Sequence, residues 1–147
     1  MWRFKPWLPV IVWMGVIFYA STDIGSTQHT SRIIRPLLRW FKPDISEEAI
    51  HDVQVCIRKS GHVSEYAVLA VLVWWARRKA FGGSGWTRKE IGVVLAICAL
   101  YATSDEIHQI FVPSRGASPW DVLIDTGGAS VGMLILWAVG RLRRRRS

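Results

Sequence analysis

Three clusters of ionisable residues interrupt stretches of this chain that are otherwise apolar. The first reads Lys59-Ser60-Gly61-His62-Val63-Ser64-Glu65-Tyr66, the second Ser104-Asp105-Glu106-Ile107-His108-Gln109, and the third holds Asp121 and Asp125 four residues apart. A histidine among carboxylates can take up and release a proton near neutral pH, and a lysine or arginine beside it can hold a phosphate or carboxylate. The candidates for proton handling and catalysis are therefore His62, Glu65, Asp105, Glu106, His108 and Asp121. The candidates for binding are Lys59, Tyr66, Gln109, Arg115 and Asp125. A plainer reading is mutual neutralisation: Lys59 or Arg115 against Asp121 or Asp125, His62 against Glu65, and His108 against a carboxylate. Pairing of that kind suits any one residue, because charges inside apolar spans usually find partners. It suits the set less well, since eight ionisable groups in these clusters exceed what stapling a few helices together requires.

Other chemistries have less footing. Two histidines and several acids can ligate a metal only if separate helices bring them together, and there is no His-Glu-x-x-His spacing. No metal or cofactor is expected. Ser60, Ser64 and Ser104 lie outside any Gly-x-Ser-x-Gly elbow. Cys56 and Cys98 form no Cys-x-x-Cys pair, and Cys98 falls in the middle of an apolar run, so no disulfide is expected. His29 and His51 fall in a long polar connection and are read as solvated or interfacial.

The elements that must carry these clusters follow from how charge is distributed. The chain has 147 residues, half of them apolar, with nine tryptophans and a formal charge of +8; its mean hydropathy is +0.20. Charged residues are grouped between apolar runs and not scattered over amphipathic faces, which is a membrane pattern. A transmembrane helix needs about 20 mainly apolar residues. Four windows qualify, at about residues 2–20, 60–76, 91–112 and 119–140. The basic blocks, Arg77 to Lys89 and Arg141 to Arg146, adjoin these windows and are read as topology signals and contacts to anionic lipid; nucleic acid is not an expected partner. Arg3 and Lys5 ahead of an apolar stretch resemble a signal peptide, but no small-x-small cleavage site follows, so the segment is read as a retained anchor.

With both termini cytoplasmic, the inner segments hold twelve Lys and Arg against one acid, Glu90, and the outer segments hold seven against ten. Net charges of +11 inside and −3 outside satisfy the positive-inside rule. Residues 21–58 form the long outer connection. Arg32 to Phe41 mixes basic and apolar residues as an interfacial helix does, with Pro36 expected to break it. After Pro43, Ser46-Glu47-Glu48 predicts a helix start running through His51 towards the second span. No repeat or second domain is evident. The expectation is one all-α integral membrane domain over residues 1–147, with four transmembrane helices and an interfacial amphipathic segment between the first and second.

Depth ties the clusters together. At about 1.5 Å per residue, His62 lies about 21 Å from Ala76, Asp105 about 22 Å from Glu90, and Asp125 about 24 Å from Arg141. All three clusters thus reach one level in the outer third of the membrane. In the last span Asp121, Asp125, Gly128 and Gly132 share a stripe that is acidic outside and small enough inside for close helix packing.

The strings Lys59-x-x-His62-x-x-Glu65-Tyr66, Ala102-Thr103-Ser104-Asp105-Glu106-x-His108-Gln109-x-Phe111-Val112-Pro113-x-Arg115 and Asp121-x-x-x-Asp125-x-x-Gly128 resemble the VanZ-like family of bacterial membrane proteins. The resemblance covers about residues 59–132, and Asp125 departs from it where asparagine is expected. It implies a multi-pass protein of the bacterial cell membrane, from a family whose founding members are linked to teicoplanin resistance. It supplies no established reaction, so catalysis is left open. The expected function is an outward-facing polar site that binds or modifies an envelope amphiphile, with membrane lipids, a lipid-linked envelope precursor or a lipoglycopeptide as partners. The alternatives are a non-enzymatic factor that modulates the membrane or sequesters the drug, and a proton-linked transporter, which four spans would build only as an oligomer.

The topology is checked with single cysteines at Ser114 and Gly83 in a cysteine-free background and a membrane-impermeant thiol reagent on intact cells. Ser114 is expected to label and Gly83 to stay unlabelled; the reverse pattern turns the clusters inward.

Overall fold

The structure, a computed structural model, describes residues 4–22, 27–82, 86–113 and 115–145, without the side chains of residues 27–29. Outside this description lie Trp2, where the first expected span begins, Arg3 and Arg146 of the basic segments, the labelling positions Gly83 and Ser114, and the side chain of His29. Among the described residues every regular element is helical. A 3₁₀ turn, Lys5–Trp7, leads into α1 (Leu8–Ala20), followed by α2 (Thr27–Phe41), α3 (Glu47–Phe81), α4 (Arg88–Ile110) and α5 (Pro119–Arg145).

The helix ends follow local chemistry. Ser46 starts α3 by accepting the Ala49 N–H on its hydroxyl at 3.2 Å, and Glu47 and Glu48 place negative charge in the first turn. Gly82 ends it at φ 65°, a left-handed conformation that a side chain would strain. The 35 residues between run unbroken, about 52 Å long at the helical rise, so the predicted outer helix and the second expected span are one rod. Thr87 starts α4 by accepting the Glu90 N–H at 3.1 Å. Pro119 opens α5 at a position where the missing N–H leaves no helical bond unmade.

The expected break at Pro36 does not occur, and α2 is a single helix through it. Side-chain contacts hold α2 along α3. Ser31 meets Gln54 side chain to side chain at 3.2 Å, and Arg35 and Arg39 both pair with Glu47, Arg35 at 2.9 Å. Ile33, Leu37, Trp40 and Phe41 share one side of α2 and are exposed.

The core lies where α3, α4 and α5 meet, with α1 laid against α3. Tyr66, Leu69, Ala70 and Val73 of α3 are fully buried, as are Val94, Cys98 and Ala102 of α4 and Ala129 of α5. The most extensive packing is between α3 and α5. Gly128 and Gly132 explain its closeness. A Cβ added at Gly128 would lie 2.7 Å from the Val63 Cα, and one at Gly132 would lie 2.8 Å from the Ala67 Cα, so backbone rests on backbone.

By length and composition α4 and α5 can cross a membrane, and only 28% of each apolar window is buried within the protein. The helical stretch Lys5–Ala20 is apolar but shorter. The apolar part of α3 is bounded by Arg58 to Glu65 at one end and Arg77 to Lys79 at the other. Of the four expected spans, these criteria therefore mark two. The outward faces remain apolar all the same: Leu8, Ile11, Leu100, Leu123, Leu134 and Ile135 are all more than half exposed.

Gly132→Val is expected to lower stability by about 1–3 kcal/mol, because α5 must lift from α3. Gly127→Ala, which meets nothing within 4 Å, is expected to be neutral or slightly stabilising. Thermal unfolding of the purified protein in detergent checks both.

Candidate functional site

The three clusters lie near one level, as the constant rise of a helix leads one to expect, and the first and third meet directly. His62 Nδ1 on α3 lies 3.1 Å from Asp125 Oδ1 on α5, and both side chains are buried. His62 and Asp125 share this one hydrogen bond through Nδ1, and the imidazole Nε2 takes no part in it. Gly128 makes the contact reachable, since it follows Asp125 by one turn on the face pressed against Val63.

The acids of α4 are engaged in holding the bundle together. Asp105 Oδ2 accepts from the Ser21 hydroxyl at 2.7 Å and from Gln109 Nε2 at 3.1 Å, which fixes the end of α1 to α4. Gln109 Nε2 also reaches Glu106 Oε1 at 3.2 Å, and Glu106 Oε2 accepts the Ser118 N–H at 2.8 Å just before α5 begins. Arg115 closes the same junction. Its Nε donates to the Thr22 carbonyl at 3.3 Å and an Nη to the Ala20 carbonyl, so it satisfies carbonyls at the end of α1. Burial, and then the charge of nearby Arg58, hold its guanidinium below the ordinary arginine pKa.

A cavity of about 130 Å³ opens beside these contacts, lined by Ala20, Ser21, Arg58, Gly61, His62, Glu65 and Arg115. Glu65 is half-buried, and its backbone carbonyl accepts the Trp13 indole N–H at 2.9 Å. Two cations, a histidine and a carboxylate therefore share one concave surface. Asp121 is buried on the same side of α5 as Asp125. Tyr66 is fully buried with its ring centroid 6.3 Å from that of Tyr101, and its hydroxyl has no hydrogen-bond partner among the described residues. Asp105 Oδ1 and Asp125 Oδ2 are likewise buried without one.

The expected pairings are realised differently. His62 bonds Asp125 and not Glu65, while Arg115 binds carbonyls and neither Asp121 nor Asp125. His108 stacks on Phe18 with ring centroids 4.2 Å apart, and its Nε2 has no partner among the described residues. Lys59 is exposed and outside the cavity lining, where Arg58 stands instead. A signal for Arg58 was present: Arg58, Gly61, His62 and Glu65 follow the i, i+3, i+4, i+7 pattern of one helical face, and Lys59 is turned about 100° from Arg58. Ser21 gave no comparable signal, because its partner is 84 positions away in the chain. Among the described residues no group of three or more His, Cys, Asp or Glu converges as a metal site would.

Ser21→Ala, which takes one of the two hydrogen bonds from a buried carboxylate oxygen, is expected to cost about 1–3 kcal/mol. Thr103→Ala, on an exposed hydroxyl bonded only to the Ala99 carbonyl of its own helix, is expected to change little. Thermal unfolding in detergent separates them.

The model of the VanZ/LLP1 family matches residues 6–140, most of the chain. No curated protein and no solved structure matches it.

Proposed function

The chain belongs to the VanZ-like family, which is linked to teicoplanin resistance, and on that premise we propose that it is a four-span protein of the bacterial cell membrane whose cavity binds or modifies an anionic envelope amphiphile at the outer leaflet. In this reading α1, the apolar part of α3, α4 and α5 are the spans, both termini are cytoplasmic, and α2 lies in the outer interface.

The observation that carries the reading is the cavity lining. Arg58 and Arg115 face one space, close enough to act on each other's charge, with Glu65 in the same lining; an anionic head group seated at the two guanidiniums gains charge-assisted hydrogen bonds from both. At about 130 Å³ the space falls below the roughly 300–1,000 Å³ of sites that enclose a drug-sized ligand. It suits a phosphate or carboxylate head group, and the apolar remainder of the molecule then lies outside in the bilayer. Binding needs the two arginines. Modification needs a proton acceptor as well, and His62, oriented by Asp125 with Glu65 in the same lining, supplies one.

A second reading draws on α2. Its exposed stripe of Ile33, Leu37, Trp40 and Phe41, flanked by Arg32, Arg35 and Arg39, suits a factor that alters the membrane surface or sequesters an acyl chain without chemistry.

Expression in a teicoplanin-sensitive bacterium separates the two. The wild-type chain is expected to raise the inhibitory concentration several-fold. Arg58→Gln and Glu65→Gln are expected to return it to the host level at equal membrane abundance, with Lys59→Gln unaffected. Loss with Trp40→Ser/Phe41→Ser alone favours the membrane-surface reading. A wild-type chain that leaves tolerance unchanged removes resistance from this member's role.

A further inference from the structure

A second site lies at the other end of the bundle, about 21 Å along α4 from Asp105 by the helical rise. Between α4 and α5 runs an apolar groove of about 390 Å³ whose walls include Ile91, Leu95, Met133 and Leu134. Its polar lining residue, Ser130, is already satisfied, donating to the Thr126 carbonyl at 2.9 Å. Trp86 and Trp137 close the groove at its mouth. The same two tryptophans wall an adjoining depression of about 330 Å³ whose other walls are Arg141, Arg144 and Arg145, so the apolar and basic spaces lie side by side across one pair of rings. Arg141 is held in place over the Trp137 ring, its guanidinium carbon 5.4 Å from the centroid. No carboxylate pairs with Arg141, Arg144 or Arg145 among the described residues.

We propose that this groove and its basic mouth bind one anionic phospholipid, with an acyl chain between α4 and α5 and the phosphate among Arg141, Arg144 and Arg145. Three features select a lipid. The groove is continuous with an outward apolar surface, where Leu134 and Ile135 are exposed, so a chain enters from the bilayer without crossing water. The tryptophans stand between the apolar and basic parts, where indole rings sit at the head-group boundary of membranes. Three unneutralised cations match a head group of net negative charge; a zwitterionic lipid brings its own cation and gains less. The proposal rests on the chain lying in a bilayer and is independent of the His62 cavity.

Native mass spectrometry of the purified full-length protein, released from detergent with equimolar phosphatidylglycerol and phosphatidylcholine of the same chain length, tests it. Wild type is expected to retain one phosphatidylglycerol at least about fivefold over phosphatidylcholine. Arg141→Gln/Arg144→Gln/Arg145→Gln is expected to erase that preference. Leu134→Trp, which fills the groove from its exposed side, is expected to lower retention of both lipids. Lys42→Gln/Lys59→Gln, two exposed lysines at the opposite end of the bundle, is expected to keep the preference. Equal retention of both lipids by wild type, an equal loss with Lys42→Gln/Lys59→Gln, or undiminished retention by Leu134→Trp overturns the proposal. Unchanged thermal unfolding of Leu134→Trp keeps its result interpretable.

Discussion

Two glycines let α5 lie directly on the backbone of α3, and the polar interior depends on that approach. At Gly128 and Gly132 a Cβ would collide with Val63 and Ala67, so any other residue holds the helices farther apart. The 3.1 Å bond between His62 and Asp125 sits one turn beyond Gly128 and spans only as far as this contact allows. In an apolar surrounding that bond matters more than in water, because an unpaired buried carboxylate is costly. Small residues and buried charge are thus two halves of one arrangement: the first permits the distance at which the second is tolerable.

The remaining polar residues divide into two sorts. Asp105, Glu106, Gln109 and Arg115 are tied to Ser21, Ser118 and the carbonyls that end α1, so they join three helices at one level. Arg58, His62 and Glu65 share one face of α3, line the cavity and leave polar capacity over. The strongest motif in the sequence, Ser104 to Gln109, therefore contributes mostly to the frame. The cavity lining comes from the less conspicuous Arg58-x-x-Gly61-His62-x-x-Glu65 stripe together with Arg115.

A polarity runs along the bundle. One end gathers carboxylates and histidines; the other gathers arginines, with Trp74 and Trp86 stacked at 5.2 Å and Arg78 over Trp74. Arg77 is neutralised there by Glu90 at 3.0 Å, whereas Arg141, Arg144 and Arg145 have no carboxylate partner among the described residues. The two proposed ligands follow from that contrast, a head group among mixed charges at one end and a lipid phosphate among arginines at the other.

Much of this was legible in the chain itself. Apolar run lengths and the Ser46-Glu47-Glu48 start are local signals, and α3 begins where that start stands. The common level of His62, Asp105 and Asp125 was also fixed, because the rise of a helix is constant and position along it is a matter of counting. Pro36 misled because the expectation weighed only a proline's local cost, whereas α2 runs unbroken through it and is laid along α3 by contacts outside its own sequence. What only the tertiary structure decided is who meets whom: His62 with Asp125, Arg115 with the end of α1, Arg58 in the cavity and Lys59 outside it. Those choices depend on how each helix is rotated and how closely two backbones approach. Both are set by packing between residues far apart in the chain, which no local pattern encodes.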